Sequence, residues 1–268
     1  MTGGLRAVAT PTDAEWRGKW SPRRRWSTFY LGTGGDRPYC VVHSGRKVTV
    51  DALKTWLTFV NNNRSFVIEA ILQHTQIVLI VVLAATLTAI ALGVLVQNRP
   101  VPKAAVLAVT GIFLTIPSLA LFALFIPLVG IGNPPAMLAL YLYALLPVLR
   151  NTVAGLESVS PAVVESAKGM GMTSFGQLVT VRLPLAWPIV MAGVRISTLL
   201  TVGVAAIAPL VGGNGLGVYI QQGLTRLGLP NAIESVWVGI IFTVALGLVL
   251  DALLGLFQRL TTPAGLRS

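Results

Sequence analysis

From Ile77 onward the chain is a succession of long uncharged apolar runs separated by polar connections. The first, IVLIVVLAATLTAIALGVLV (Ile77–Val96), is followed by similar runs at Ala104–Val129, Ala136–Val153, Leu185–Val211 and Val236–Phe257. About twenty helical residues cover a hydrocarbon core of roughly 30 Å, so the pattern predicts an all-α integral membrane protein with five spans. Pro117, Pro127, Pro147 and Pro209 fall inside these runs. Spanning helices tolerate proline because neighbours, hydroxyls or water satisfy the freed carbonyls. The apolar patch Trp56–Val60 is too short to cross and is expected along the interface, within a lead-in over residues 51–76 to a transmembrane domain over 77–260.

One connection breaks the rhythm. ESAKGMGMTSFGQLVTVRLP (Glu165–Pro184) lies within a polar stretch, residues 157–184, between the third and fourth spans. Ser160-Pro161 reads as a helix opening, the serine oxygen capping free amides and the proline at the first helical position. A short helix over Ala162–Lys168 is expected to turn at Gly169 and Gly171, which permit backbone angles other residues resist. Thr173 or Ser174 then caps a second short helix through Thr180, ended by Leu183-Pro184. The product is a helix–turn–helix on one membrane face, a shape that fits a groove on a partner. A plain connection is shorter, with a median of about 4–6 residues.

Charge orients the spans. The connections after the first and third spans carry Arg99, Lys103, Arg150, Lys168 and Arg182, and Arg259 and Arg267 follow the fifth, with residues 261–268 as a tail. The alternate connections hold one basic residue, Arg226. The positive-inside rule puts the polar stretch and the C-terminus in the cytoplasm. Five spans then leave the N-terminus outside, flanked by eleven Lys and Arg. The first fifty residues, with nine basic and three acidic residues and no helical or strand period, read as a basic disordered tail. Either this tail is translocated, or the native protein begins near Val48–Leu53.

Composition narrows the function classes. The chain has 268 residues, 54% hydrophobic and 11% charged, with net charge +11 and mean hydropathy +0.77. In a soluble chain that charge would suggest nucleic acid; here it marks loops, and no nucleic-acid partner is expected. One cysteine, Cys40, and two histidines, His43 and His74, give no disulfide framework or structural zinc site and read as incidental. No phosphate-binding glycine loop or nucleophile–histidine constellation can be assembled. No catalytic residue, metal ligand or cofactor is expected on this chain.

The stretch from Glu165 to Pro184 resembles the cytoplasmic loop of ABC importer permeases with the methionine-permease-like fold, E-A-A-x3-G-x9-I-x-L-P. Glu165, Ser166, Ala167, Gly171, Val181, Leu183 and Pro184 fall in register, with serine and valine as conservative departures. In that family the loop is a coupling helix seated in a cleft of the ATPase subunit. The resemblance gives Glu165, Ala167, Gly171, Leu183 and Pro184 that role, with Gly169 beside them in the turn. It implies force turning into helix tilt at Gly171 and Pro184. TIPSLALFAL, LPVLRNT and GNGLG further resemble permeases for osmoprotectants: glycine betaine, choline, carnitine or proline betaine. The resemblance runs from about Gln73 to the end; the first fifty residues match nothing in the group.

Such permeases imply partners: a pair of ATPase subunits carrying ATP and magnesium, a second permease subunit (same or different) and an extracytoplasmic substrate-binding protein. The lipid is the bacterial cytoplasmic membrane. Gly193, Gly203, Ala205 and Ala206 would allow close helix approach. Arg195 and Asp251, ionisable residues in or near spans, either pair or snorkel separately. Quaternary ammonium is read by aromatic cages; no clustered aromatics are visible in the spans, so selectivity is expected in the binding protein. The alternatives are a permease of this fold for another small solute, such as an amino acid or sulfonate, and a passive scaffold or channel.

Overall fold

The computed structural model describes residues 31–32, 39–40 and 48–262. The expected disordered tail and the C-terminal residues 263–268 lie outside the described residues, apart from the few just given. The chain divides into units of residues 1–55 and 56–268. In the first, Leu31–Gly32 (β1) pairs antiparallel with Tyr39–Cys40 (β2), and helix α1 (Val48–Asn62) begins.

In the second unit, α2 (Arg64–Val96), α5 (Asn133–Glu157), α7 (Ser174–Ala205) and α9 (Ala232–Thr261) are each long and apolar enough to cross a membrane. Shorter helices are α3 (Pro100–Thr115), α4 (Ser118–Val129), α6 (Pro161–Gly169) and α8 (Gly217–Thr225). The helices outrun the apolar runs. With 33 residues, α2 is roughly 50 Å long, more than a hydrocarbon core needs. Its first turns hold Glu69, Gln73 and His74, whose polarity hid them from the hydropathy pattern. The helix continues through them because His74 turns inward and Gln73 Nε2 donates to Glu69 Oε1 one turn back at 3.0 Å.

The second expected span, Ala104–Val129, is broken. α3 and α4 meet at 101°, because Pro117 holds Ile116 in an extended conformation (φ −74°, ψ 131°). The carbonyl left free at Ile116 accepts a hydrogen bond from the Tyr143 hydroxyl on α5, so the bend has a partner in the protein core.

α5 is the most enclosed helix and packs chiefly on α7 and α2. Val148, Leu149, Leu140 and Ala144 are fully buried there. Gly193 on α7 makes the closest approach possible: a Cβ would lie 2.6 Å from the Asn151 Cβ and 2.8 Å from the Pro147 carbonyl oxygen. Of the other small residues on α7, Ala205 is buried, whereas a Cβ on Gly203 would meet nothing within 4 Å. Ser197 Oγ donates across to the Ala144 carbonyl at 3.0 Å. Close packing of small residues with interhelical hydrogen bonds is how helices associate in lipid, where no hydrophobic force separates them from the solvent.

From Trp56 onward α1 is held against the bundle. Trp56, Phe59 and Val60 pack against a buried cluster of Val67, Ala70, Leu216, Tyr219 and Val238, and Trp56 stacks on Phe242 with centroids 6.4 Å apart.

Candidate functional site

The polar stretch folds into a short helix and a turn leading directly into α7. At the end of α5, Glu157 forms an ion pair with Lys103 on α3, and Arg182 Nη2 donates to the Leu156 carbonyl at 3.4 Å. Pro161 occupies the first turn of α6, but the Ser160 hydroxyl makes no cap; its carbonyl instead accepts from the Val163 and Val164 amides. Ala167 is 2% exposed, facing the fold, while Glu165, Lys168 and Gly169 are exposed. Among the described residues Glu165 makes no ion pair.

α6 ends in a Schellman motif. The Met172 amide donates to the Ala167 carbonyl at 3.2 Å and the Gly171 amide to Lys168 at 3.0 Å, with Gly171 left-handed at φ +81°. Only one of the two expected turn glycines therefore needs to be glycine. Gly169 is helical, and a Cβ would meet nothing within 4 Å at either position, so the constraint at Gly171 is its backbone angle alone. Thr173 Oγ1 then accepts from the Gly176 amide at 3.2 Å, capping the next helix.

That helix is not a separate short one. It runs from Ser174 through to Ala205 as a single element, so Leu183-Pro184, expected to end a helix, lies inside one. The reason is a wider turn over Gln177–Arg182, in which the Leu183 amide donates five residues back to Leu178. Pro184, which has no N–H to donate, falls where this wider register absorbs it without a break. Leu183 and Pro184 are half-buried. The turn at Gly171 is thus joined to the bundle by one continuous rod roughly 50 Å long.

The face turned to solvent is apolar where a polar loop would not be. Met170 and Phe175 are each 75% exposed, and Val163 and Val179 are also open. Both large side chains flank the Gly171 turn. They were missed in the sequence, although two large apolar residues in a polar connection were the available signal. Exposed apolar surface of this kind is found where a protein meets a partner or lipid.

Farther along α7, Arg195 and Asp251 meet in a half-exposed bidentate pair between α7 and α9, Nε to Oδ1 and Nη2 to Oδ2 both at 2.7 Å. Nearby, Trp187 Nε1 donates to Thr261 Oγ1 at 2.7 Å and Gln258 Nε2 to the Pro188 carbonyl at 3.2 Å. The last turn of α9 therefore lies beside the first part of α7, on the side of the Gly171 turn.

At the opposite end, His74 is 1% exposed and joins three elements. The Leu216 amide donates to Nδ1 at 3.3 Å, so the proton is on Nε2, which donates to the Val202 carbonyl at 3.1 Å. Val202 is available because the Ala206 amide turns to Gly203 as α7 tightens at its end. The GNGLG phrase makes this possible: at Gly215, φ +113°, a Cβ would sit 3.1 Å from His74 Nδ1, and at Gly217 one would sit 1.9 Å from the Ala206 carbonyl oxygen. His74 is not an incidental imidazole.

Residues 63–262 match the family described as "Binding-protein-dependent transport system inner membrane component". The glycine betaine/carnitine/choline transport system permease protein OpuCB of Bacillus subtilis (strain 168) is 40% identical over 211 residues, covering 79% of this chain and 95% of that protein. The osmoprotectant import permease protein OsmW of Salmonella typhimurium is 36% identical over 211 residues, covering 77% and 96%. Among solved structures, an inward-facing conformation of the MetNI methionine ABC transporter has a TM-score of 0.66 at 20% identity, covering 75% of this chain and 99% of that one. That likeness establishes the fold. The chain is a multi-pass membrane protein and belongs to the family of binding-protein-dependent transport system inner membrane components, the permease subunits of ABC importers.

Proposed function

We propose that this permease subunit moves a quaternary-amine osmoprotectant (glycine betaine, choline, carnitine or proline betaine) into the cytoplasm, driven by ATP hydrolysis on a separate pair of ATPase subunits that hold the ATP and magnesium. A second permease subunit completes the path, and a binding protein outside delivers the solute. The bilayer is the bacterial cytoplasmic membrane. The coupling segment and the C-terminus face the cytoplasm, in keeping with Arg99, Lys103, Arg150, Lys168, Arg182 and Arg259 on that side.

The observation that carries the ATPase coupling is the exposed Met170–Phe175 knob around the left-handed Gly171, rigidly continuous with α7. Glu165, Ala167, Gly169, Gly171, Leu183 and Pro184 form or brace this segment. Closure of the ATPases would displace the knob, and a rod without a joint transmits that displacement into the bundle as tilt. The substrate class is supported by the names of relatives that this chain matches over nearly their whole length.

Uptake of radiolabelled glycine betaine, choline, carnitine and proline betaine, in cells with and without the gene, tests the reading. Uptake of at least one should fall by about tenfold or more on deletion, a difference well outside assay scatter. Phe175→Asp should abolish co-purification of the ATPase while leaving the permease in the membrane. Undiminished uptake of all four solutes on deletion would refute the substrate, and retained ATPase in Phe175→Asp and Met170→Asp would refute the docking role.

A further inference from the structure

A cavity of about 500 Å³ opens at the end of the bundle away from the coupling segment. Its walls come from the end of α1, the first turns of α2, the loop before α8, α8 itself and the start of α9. Two opposite charges line it, neither in an ion pair among the described residues. Glu69 on α2 has one oxygen engaged by Gln73, and among the described residues it forms no ion pair; Arg226, just past α8, forms none either. The rings of Phe59, Phe66 and Tyr219 border the same space. Tyr219 is far from Phe59 and Phe66 in the sequence, and these two precede the apolar runs, so no cluster was visible in the spans.

A carboxylate and a guanidinium left unpaired in one cavity suit a ligand with a cationic and an anionic end. A quaternary ammonium has no N–H and cannot be held by hydrogen bonds, so aromatic faces and a nearby carboxylate are the groups that can recognise it. A guanidinium grips a carboxylate as a planar fork. The volume falls within the usual range of small-molecule sites, about 300–1,000 Å³.

We propose that this cavity is a transit site for a zwitterionic quaternary amine, with Glu69, Phe59, Phe66 and Tyr219 taking the ammonium and Arg226 the carboxylate. The inference rests on the substrate class proposed above. Glu69 is exposed, so the ion–ligand attraction is screened by water and the site is weak, suited to passing a solute inward rather than retaining it.

The test is equilibrium binding of radiolabelled glycine betaine, a zwitterion, and choline, a cation, to the purified permease–ATPase complex without its binding protein. Wild type should bind both with Kd roughly in the millimolar range. Glu69→Gln should weaken both by about tenfold, and Glu69→Asp should recover part of that loss, as expected for a charge contact. Arg226→Gln should weaken glycine betaine by about fivefold or more and leave choline unchanged, since only the first has a carboxylate to lose. Absence of wild-type binding, no effect of Glu69→Gln, or equal effects of Arg226→Gln on the two ligands would each overturn the assignment. Uptake into proteoliposomes by the full transporter separates the two failures. If wild type carries none of the four solutes, the substrate reading is wrong; if it carries glycine betaine and choline while the binding results fail, only the cavity assignment is.

Discussion

Gly169 and Gly171 are two residues apart, equally open to solvent and equal in the sequence pattern, yet the backbone distinguishes them. Gly171 is left-handed with free space around it, so alanine there costs only conformation, about 1–2 kcal/mol. Gly169 is helical, and alanine there is favoured by up to about 1 kcal/mol. Thermal unfolding of the purified complex should therefore show Gly171→Ala melting below wild type and Gly169→Ala at or above it. Equal Tm values for the two variants would contradict the turn geometry. The Arg195–Asp251 pair is a second case decided by geometry. With two parallel hydrogen bonds at 2.7 Å, the residues should be coupled by about 1–2 kcal/mol. In a double-mutant cycle Arg195→Gln and Asp251→Asn should each destabilise, and the double variant should lose less than their sum. Additive losses would mean that each side chain acts separately, by snorkelling.

At the level of elements, α7 is the part whose continuity matters most. The wide turn at Gln177–Arg182 precedes Pro184, and proline removes a donor and crowds the preceding turn. In Pro184→Ala the amide returns and an ordinary α-helical register becomes available, which would rotate the coupling turn relative to the bundle. We expect co-purification of the ATPase to persist while uptake falls several-fold; unchanged uptake would show that the turn register does not matter for transmission. Pro184 also marks the limit of sequence reading. The shape of the polar stretch was legible because its signals are local: Gly171 for a left-handed angle, Thr173 for a cap, Pro161 for a first turn. Pro184 reads as a helix end by local rules, and only the wider turn before it, sustained by packing, lets the helix pass. The spans were legible from length and hydropathy, but two of their shapes were not. Glu69, Gln73 and His74 are polar yet helical because each finds a partner or the interior, and the tolerance of spanning helices for proline concealed the bend at Pro117. The cavity was hidden for a different reason, since Phe59, Glu69, Tyr219 and Arg226 are brought together only by tertiary structure.

On the scale of the molecule, the two ends of α7 are fixed differently. At one end it carries the Gly171 turn and is tied to α5 and α9 through Arg182, Trp187 and Gln258. At the other the Val202 carbonyl is held by His74, which also holds the loop ahead of α8 through Leu216. Any tilt of α7 driven from the coupling end must either carry α2 and this loop along or break the His74 bonds. His74 is thus placed to make the far end of the bundle move as one body. His74→Phe keeps a planar ring, somewhat larger, but leaves the Leu216 amide and the Val202 carbonyl without partners, at about 1–3 kcal/mol each. The variant should melt at a lower temperature and still co-purify with the ATPase, because nothing at the coupling face has changed. Its uptake should fall relative to ATP hydrolysis, since motion of α7 would no longer be passed to α2 and the loop. A His74→Phe transporter with an unaltered ratio of solute moved to ATP consumed would show that His74 serves stability alone, whatever its Tm.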